Sequence, residues 1–293
     1  MTTQTRNNET DSNISIQTPF NDFIMRNRLI LFFVITLLYT WAFWIPMALM
    51  KYEVIDIKIP LIVGQSLGAV GPLVALFILT KASGGGVNLD KILNKIRIKK
   101  KEIFWLILAT FIIPLSTILA NFLNYVIGVE SYFYILQPDK WDILGFRLFL
   151  IIPLHFFLGI ITSPFFEEPG WRGFAVEELQ KRFGRHIGSF IIGSYWWLWH
   201  QPINVAAGAE ITIYSYFLWL AHSFIIDSLY NLSNRNLMGA MLAHASLIIN
   251  FSYIFSGNNL FQIANNLYMI SVFIILIIFL RVLESKYEHS PIV

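Results

Sequence analysis

The sequence predicts an all-α, polytopic membrane protein with about eight transmembrane helices, and three observations predict it. Hydrophobic residues make up 56% of the 293-residue chain and charged residues only 13%, whereas soluble domains carry roughly 25% charged residues. Eight segments approach the run of about twenty mostly apolar residues that a bilayer crossing requires. Of the 21 lysines and arginines, 17 fall on alternate connecting segments and the two ends, the asymmetry by which cytoplasmic loops are recognised. The same numbers exclude a soluble enzyme or a nucleic-acid-binding domain. With no cysteine, disulfides, thiolate metal sites and a cysteine nucleophile are also excluded.

Taken in order, residues 1–26 are rich in Asn, Thr, Gln and Ser and lack the apolar centre of a signal peptide. They are expected to form a disordered cytoplasmic tail. Spans are expected at 29–50, 59–80, 103–127, 147–168, 188–207, 211–232, 236–256 and 260–282, the last four so crowded that one could be broken or re-entrant. Gly64 and Gly68 in the second span form a GxxxG pair that favours close helix packing. After that span, Ser83-Gly84-Gly85-Gly86 opens a basic stretch with Leu89, Ile92, Leu93 and Ile96 at helical spacing. It is expected either to lie on the membrane surface and attract anionic lipid or to be an ordinary loop with a short helix. No internal repeat of the kind that marks alternating-access transporters is present. The basic residues place both termini and the loop 81–101 in the cytoplasm.

Ionisable groups in hydrocarbon are costly enough to mark functional sites, and here they cluster in the second half of the chain. Glu167, Glu168 and Arg172 sit at the end of the fourth span, Asp227 in the sixth, and His155, His200, His222 and His244 in spans four to seven. Glu168 and Arg172 are four apart with the acid first, the favourable order for a helical ion pair. That pairing leaves Glu167 on a neighbouring face without its own counter-ion, a situation suited to a general base. Pro169 is expected to kink the helix. A charged helix end at the headgroups, with snorkelling side chains, accounts for the same residues equally well. His200 in Trp196-Trp197-Leu198-Trp199-His200 and His244 in Leu242-Ala243-His244 read singly as packing histidines. Together with a buried carboxylate they could activate water or hold a zinc ion with an open position. His155, His222 and Asp227 are expected to serve as interhelical hydrogen-bond partners.

This combination resembles the intramembrane proteases called CAAX prenyl protease type II, Abi or CPBP. The family's Glu-Glu-x-x-x-Arg motif is matched by Glu167, Glu168 and Arg172, with Trp171 to Gly173 as its Trp-Arg-Gly extension. An aromatic residue four before a histidine is matched by Trp196 and His200. Of the third motif, His-x-x-x-Asn, only His244 is present, because Ile248 stands where the asparagine belongs. Asn250 follows six after His244, about 240° around an ideal helix, and cannot share its face unless the helix is bulged. Asn204, four after His200, is a second candidate for the missing oxyanion donor.

The resemblance implies an intramembrane endopeptidase acting on membrane-associated or prenylated CAAX-type peptides. Glu167 and His200 would activate water, His244 would stabilise the oxyanion, and Glu168 and Arg172 would support the site. It leaves the catalytic type open between a metalloprotease, with Glu167, His200 and His244 on zinc, and a metal-free glutamate mechanism. It divides the chain into a tail (1–26), N-terminal helices with the basic loop (27–144), a CAAX-protease-like core (145–256) and a last helix with a cytoplasmic tail (257–293). The expected partners are membrane lipids and a peptide or lipidated protein, with no nucleic acid, in a plasma membrane of prokaryotic type. The alternatives are a non-catalytic immunity or adaptor protein of the same family and, from span count alone, a transporter.

Overall fold

The computed structural model describes residues 19–56, 58–128, 132–209, 211–254 and 263–288. Among these residues every regular element is helical, and five helical stretches are long and apolar enough to cross a membrane: Pro19–Lys51, Leu61–Ala82, Lys100–Val126, Pro138–Ala206 and Leu237–Ile254. Their outward faces carry large apolar side chains that water would not tolerate in such number, Phe149 at 71% and Leu150 at 74% exposure among them. The protein is an all-α, multi-pass membrane protein.

Five stretches are fewer than the eight expected, and the difference has a structural reason. The run Pro138–Ala206 joins α6 (Pro138–Leu144), α7 (Leu148–Ile161), α8 (Ser163–Gly170), a π-helical turn (Trp171–Val176), α9 (Glu177–Trp199) and α10 (Gln201–Ala206) end to end. Within α9 the backbone leaves helical geometry at Gly184, with φ 78° and ψ 170°, a conformation that glycine adopts without strain. The chain folds back there, since a methyl group on Gly188 would meet the backbone of Gln180, eight residues earlier. The expected fourth and fifth spans are thus the two arms of one uninterrupted hairpin. The sixth and eighth correspond to α11 (Ile213–Leu232) and α13 (Ile263–Glu288), and the seventh to α12 (Leu237–Ile249) with a second π-helical turn, Asn250–Ile254. Part of the expected eighth span, 260–282, lies outside the described residues.

The first helix, α1 (Pro19–Lys51), starts inside the segment expected to be a tail, of which residues 1–18 lie outside the described chain. Residues 19–26 are helical because they have something to pack on: Ile24 is buried, and Asn21 and Met25 abut Gly84 and Gly86, so closely that a Cβ there would collide with them. The GxxxG pair lies on α2 (Leu61–Ala69), which continues into α3 (Gly71–Ala82). Gly64, Gly68 and Gly71 form a groove against Met47, Trp44 and Thr40 of α1. With no side chains between them, Trp44 Nε1 donates to Gly64 O at 3.1 Å and Thr40 Oγ1 to Gly68 O at 2.8 Å. The basic loop forms the short α4 (Leu89–Leu93), whose Asn88 cap accepts from the Lys91 amide at 2.8 Å. It docks on the protein, with Ile92 buried against Gly173 of the first π-helical turn. α5 (Ile103–Val126) packs along α12.

Charged residues from distant segments meet at one end of this bundle. Arg28 pairs with Glu178 at 2.6 Å, Lys95 with Glu177 at 2.6 Å, Arg235 with Glu177 at 3.9 Å, and Arg185 and Arg281 with Glu284 at 3.3 and 3.0 Å. The start of α1, the basic loop, the α9 hairpin, the α11–α12 turn and the end of α13 therefore share one side of the membrane, as the alternation of basic loops requires.

Candidate active site

The first motif lies where α8 opens into a π-helical turn. Pro169 lacks the amide that would continue the α-helical ladder, and instead of a simple kink the helix widens over Trp171–Val176, a geometry that recurs at functional sites. Close approach of α3 reinforces this point, because a Cβ on Gly170 would strike Pro72 and Phe32.

Glu167 and Glu168 are both buried and have different surroundings. The Glu167 carboxylate is held by neutral donors. Ser163, one turn earlier, donates to Oε1, while the indole nitrogens of Trp171 and Trp196 each donate to Oε2 at 3.2 Å. Among the described residues it has no cation within ion-pair distance. Glu168 Oε1 receives Arg172 Nη1 at 3.0 Å, the i,i+4 pair that the spacing predicts, and His244 Nδ1 at 2.7 Å. Glu168 Oε2 is buried and has no hydrogen-bond partner among the described residues.

Arg172 has more partners than its spacing suggests. Its Nε donates to Asp227 Oδ1 at 2.9 Å, its Nη2 to Ser223 Oγ at 3.2 Å, and its guanidinium lies 5.1 Å from the centre of a Trp196 ring. A planar five-donor fork suits a site with three polar partners in different directions. Asp227, expected to be an ordinary interhelical partner, belongs to this cluster.

His200 caps α9. Its Nδ1 is 2.8 Å from Trp196 O, and a carbonyl only accepts, so Nδ1 carries the hydrogen and the neutral ring keeps an Nε2 lone pair. The imidazole stands among Trp44, Trp196, Trp199 and Trp219, with ring centres 4.3–5.6 Å away. His244 comes from α12, and its ring lies edge-on to Trp196 at 5.2 Å. Trp196 therefore touches all three candidate catalytic side chains: it donates to Glu167 and packs against His200 and His244.

The two asparagines are not gathered in the same way. Asn250 is 1% exposed, and both its amide atoms lack partners among the described residues. Its backbone amide still bonds to Ser246 O where the π-helical turn opens at Asn250. Asn204 lies on α10, one turn beyond His200, whose carbonyl its amide meets at 3.0 Å. Of the remaining histidines, His155 reaches Tyr253 across helices at 3.0 Å as expected, whereas His222 Nε2 is buried without a partner among the described residues.

The fit of a metal can be judged from the donors. No group of three or more Asp, Glu or His side chains among the described residues stands together so as to hold an ion, and both Glu167 oxygens already accept from side chains of this protein. The arrangement of Glu167, His200 and His244 does not form a zinc ligand set, and no step below is routed through a metal.

Ser163, Trp219 and Ser223 were not singled out from the sequence, and Trp171 only as part of the Trp-Arg-Gly extension, not as a donor to Glu167. Ser163 and Trp171 stand four before and four after Glu167, so the helical period alone points to them. Trp219 and Ser223 lie on α11 and carry no local signal.

Residues 149–252 match the profile of the family described as type II CAAX prenyl endopeptidase Rce1-like. A CAAX prenyl protease 2 of Methanococcus maripaludis is 34% identical over 79 residues, which are 27% of this chain and 28% of that protein. The chain thus matches rather more than a quarter of that relative's length, and both descriptions name a protease rather than an immunity or adaptor factor. The family match holds Glu167, Glu168, Arg172, Trp196, His200, Asp227 and His244, and over this segment the chain is similar to the Rce1-like CAAX prenyl endopeptidases.

Proposed function

We propose that the protein is an intramembrane endopeptidase that cleaves prenylated, CAAX-type peptides by direct activation of water. The convergence of Glu167, His200 and His244 on Trp196 carries this reading. Water would lie between the Glu167 carboxylate and the His200 Nε2 lone pair. Loss of its proton to Glu167 generates the hydroxide that attacks the scissile carbonyl carbon. The carbonyl oxygen becomes an oxyanion facing His244. With Nδ1–H committed to Glu168, His244 donates from Nε2 when the ring is doubly protonated. Collapse of the tetrahedral species returns a proton to the leaving amine. Trp171, Trp196 and Ser163 fix the base without neutralising its charge, and the tryptophans around His200 exclude bulk water. The large apolar side chains on the lipid-facing side of α7 offer a prenyl chain an approach from the bilayer. Asn204, one turn beyond His200, is the proposed supporting donor at the oxyanion. The ion-pair layer lies on the cytoplasmic side by the positive-inside rule; a reporter fused after residue 293 should signal from the cytoplasm, and a signal from the opposite side would invert this topology.

The test is Glu167→Gln, which retains size and hydrogen bonding but removes the base. Cleavage of a prenylated peptide should fall at least ~10²-fold with insertion intact. His200→Ala should fall similarly, and the double variant should lose little more, since groups acting on one water are non-additive. An active Glu167→Gln protein would defeat the mechanism.

A further inference from the structure

The basic stretch before α5 has two sides of different chemistry. Its inward side is tied to the protein. Ile92 is buried against Gly173, Lys95 pairs with Glu177 at 2.6 Å, and Asn236, the cap of α12, donates to Arg97 O at 2.9 Å and to Glu102 Oε2 at 2.7 Å. Glu102, 2% exposed, also accepts from the Lys99 amide at 3.0 Å. The outward side is cationic. Lys91, Arg97, Lys99, Lys100 and Lys101 are all exposed, and among the described residues none of them has an acidic partner within ion-pair distance. Of the two acids in residues 88–102, Glu102 is turned inward and only Asp90 is exposed. At the same end of the bundle, Arg28, Arg185, Arg235 and Arg281 each meet an acid. The strip at 97–101 is therefore where positive charge is left without an internal counterpart.

The helix that follows fixes what this side faces. Ile103, Phe104 and Ile107 are 47, 64 and 56% exposed and open the lipid-facing stripe of α5. Lys100 and Lys101 precede Ile103 by only about 3–6 Å of helix axis, which puts their ammonium groups at headgroup depth. Ile98, 56% exposed, sets an apolar side chain among the cations, the mixture found in segments that rest on a bilayer surface. We infer that Arg97 and Lys99 to Lys101, with Lys91, form a docking surface for anionic phospholipid headgroups of the adjoining leaflet. The lipid phosphodiester supplies the negative charge that the protein does not. Because the inward contacts already hold the strip in place, binding has little backbone to order. The surface lies outside the matched segment 149–252 and does not depend on the endopeptidase reading.

The chain has no cysteine, so Ile98→Cys places a single bimane fluorophore on the strip of the full-length protein. The protein is held in phosphatidylcholine nanodiscs, whose two faces are alike, so the result does not depend on orientation. The discs carry equal fractions of either phosphatidylglycerol or phosphatidylcholine with a nitroxide on the acyl chain near the headgroup. At about 0.01 M salt, quenching by the labelled phosphatidylglycerol should exceed that by labelled phosphatidylcholine several-fold. At about 1 M salt, where charges are screened beyond roughly 3 Å, the two should become nearly equal. At low salt, Lys99→Gln, Lys100→Gln and Lys101→Gln together should bring the same convergence, each lysine contributing up to about fivefold in relative association. Removing equal charge near the opposite membrane face, with Lys51→Gln, Lys58→Gln and Lys140→Gln, should leave the preference intact. Equal quenching before any lysine is changed, or a preference that survives the change at 99–101, would overturn the inference. An equal fall in the control variant would do so too, by assigning the preference to net charge. Inorganic phosphate at constant ionic strength should not displace the labelled lipid; displacement would mark a free-anion site instead. Equal quenching with capture of polyglutamate by the same lysines would give the surface to an acidic protein and not to lipid. The salt comparison needs no lysine variant, so it decides the question even if the triple variant fails to accumulate.

Discussion

Two groups of ion pairs in this protein use the same side-chain types in different surroundings. At the charged end of the bundle, Arg28–Glu178 and Lys95–Glu177 close to 2.6 Å, but their side chains are 12–27% exposed. Arg172 meets Glu168 and Asp227 at the longer distances of 3.0 and 2.9 Å, with every side chain at 1% exposure or less. Distance alone would rank the outer pairs as stronger. Burial reverses the ranking, since the loss of one partner outside is repaired by water, and inside it strands a charge in a medium that cannot solvate it.

The most severe way to break this comparison is Arg172→Ala, which leaves Glu168 and Asp227 without their shared cation. It should destabilise the protein by about 3–5 kcal/mol, read as loss of the monodisperse peak in size-exclusion chromatography. Arg172→Lys should rescue little of it, because an ammonium cannot reach Glu168, Asp227 and Ser223 as the fork does. Normal abundance with lost activity would move Arg172 from support to chemistry. Trp196→Phe is milder. It keeps most of the ring surface but removes one neutral donor from the Glu167 carboxylate, for an expected loss of about 1.5–3 kcal/mol in thermal unfolding together with reduced cleavage. A variant as stable and active as the parent would show that Trp196 does not organise the site. The smallest effect is expected at the charged end, where Lys95→Gln should cost about 1 kcal/mol or less. Glu177 keeps the Tyr230 hydroxyl at 2.8 Å, and the residual effect should shrink in high salt. A loss as large as that of Arg172→Ala would erase the distinction between the two groups.

The legibility of the site followed the range of its contacts. The pairing of Glu168 with Arg172 is visible as a four-residue interval, and the same interval leads from Glu167 to Ser163 and Trp171. Asp227 read as an interhelical hydrogen-bond partner, but which residue it pairs with was hidden because that partner, Arg172, lies 55 residues away. The GxxxG pair announced close packing, though not that Trp44 opposite it would form a wall of the His200 pocket. The expected spans 147–168 and 188–207 leave a basic connection between them, and the chain folds back within it at Gly184, although a glycine among Lys181, Arg182 and Arg185 gives no sign of its backbone angles before the chain is packed. Residues 19–26 read as a tail because their docking surface, the glycine loop at 83–86, is remote in sequence.

The sequence by itself determined the membrane as solvent, the all-helical architecture, the sorting of basic loops to one side and the helical face shared by Glu168 and Arg172. Each of these depends on composition or on the 3.6-residue period, which are properties of short segments. Only the tertiary structure decided that Trp196 would join Glu167, His200 and His244 and that Arg172 would serve two carboxylates. Those contacts arise where helices distant in the chain pack together. In a buried medium the sign and position of every charge must be satisfied by whichever helix is adjacent, and adjacency is a property of the packed bundle.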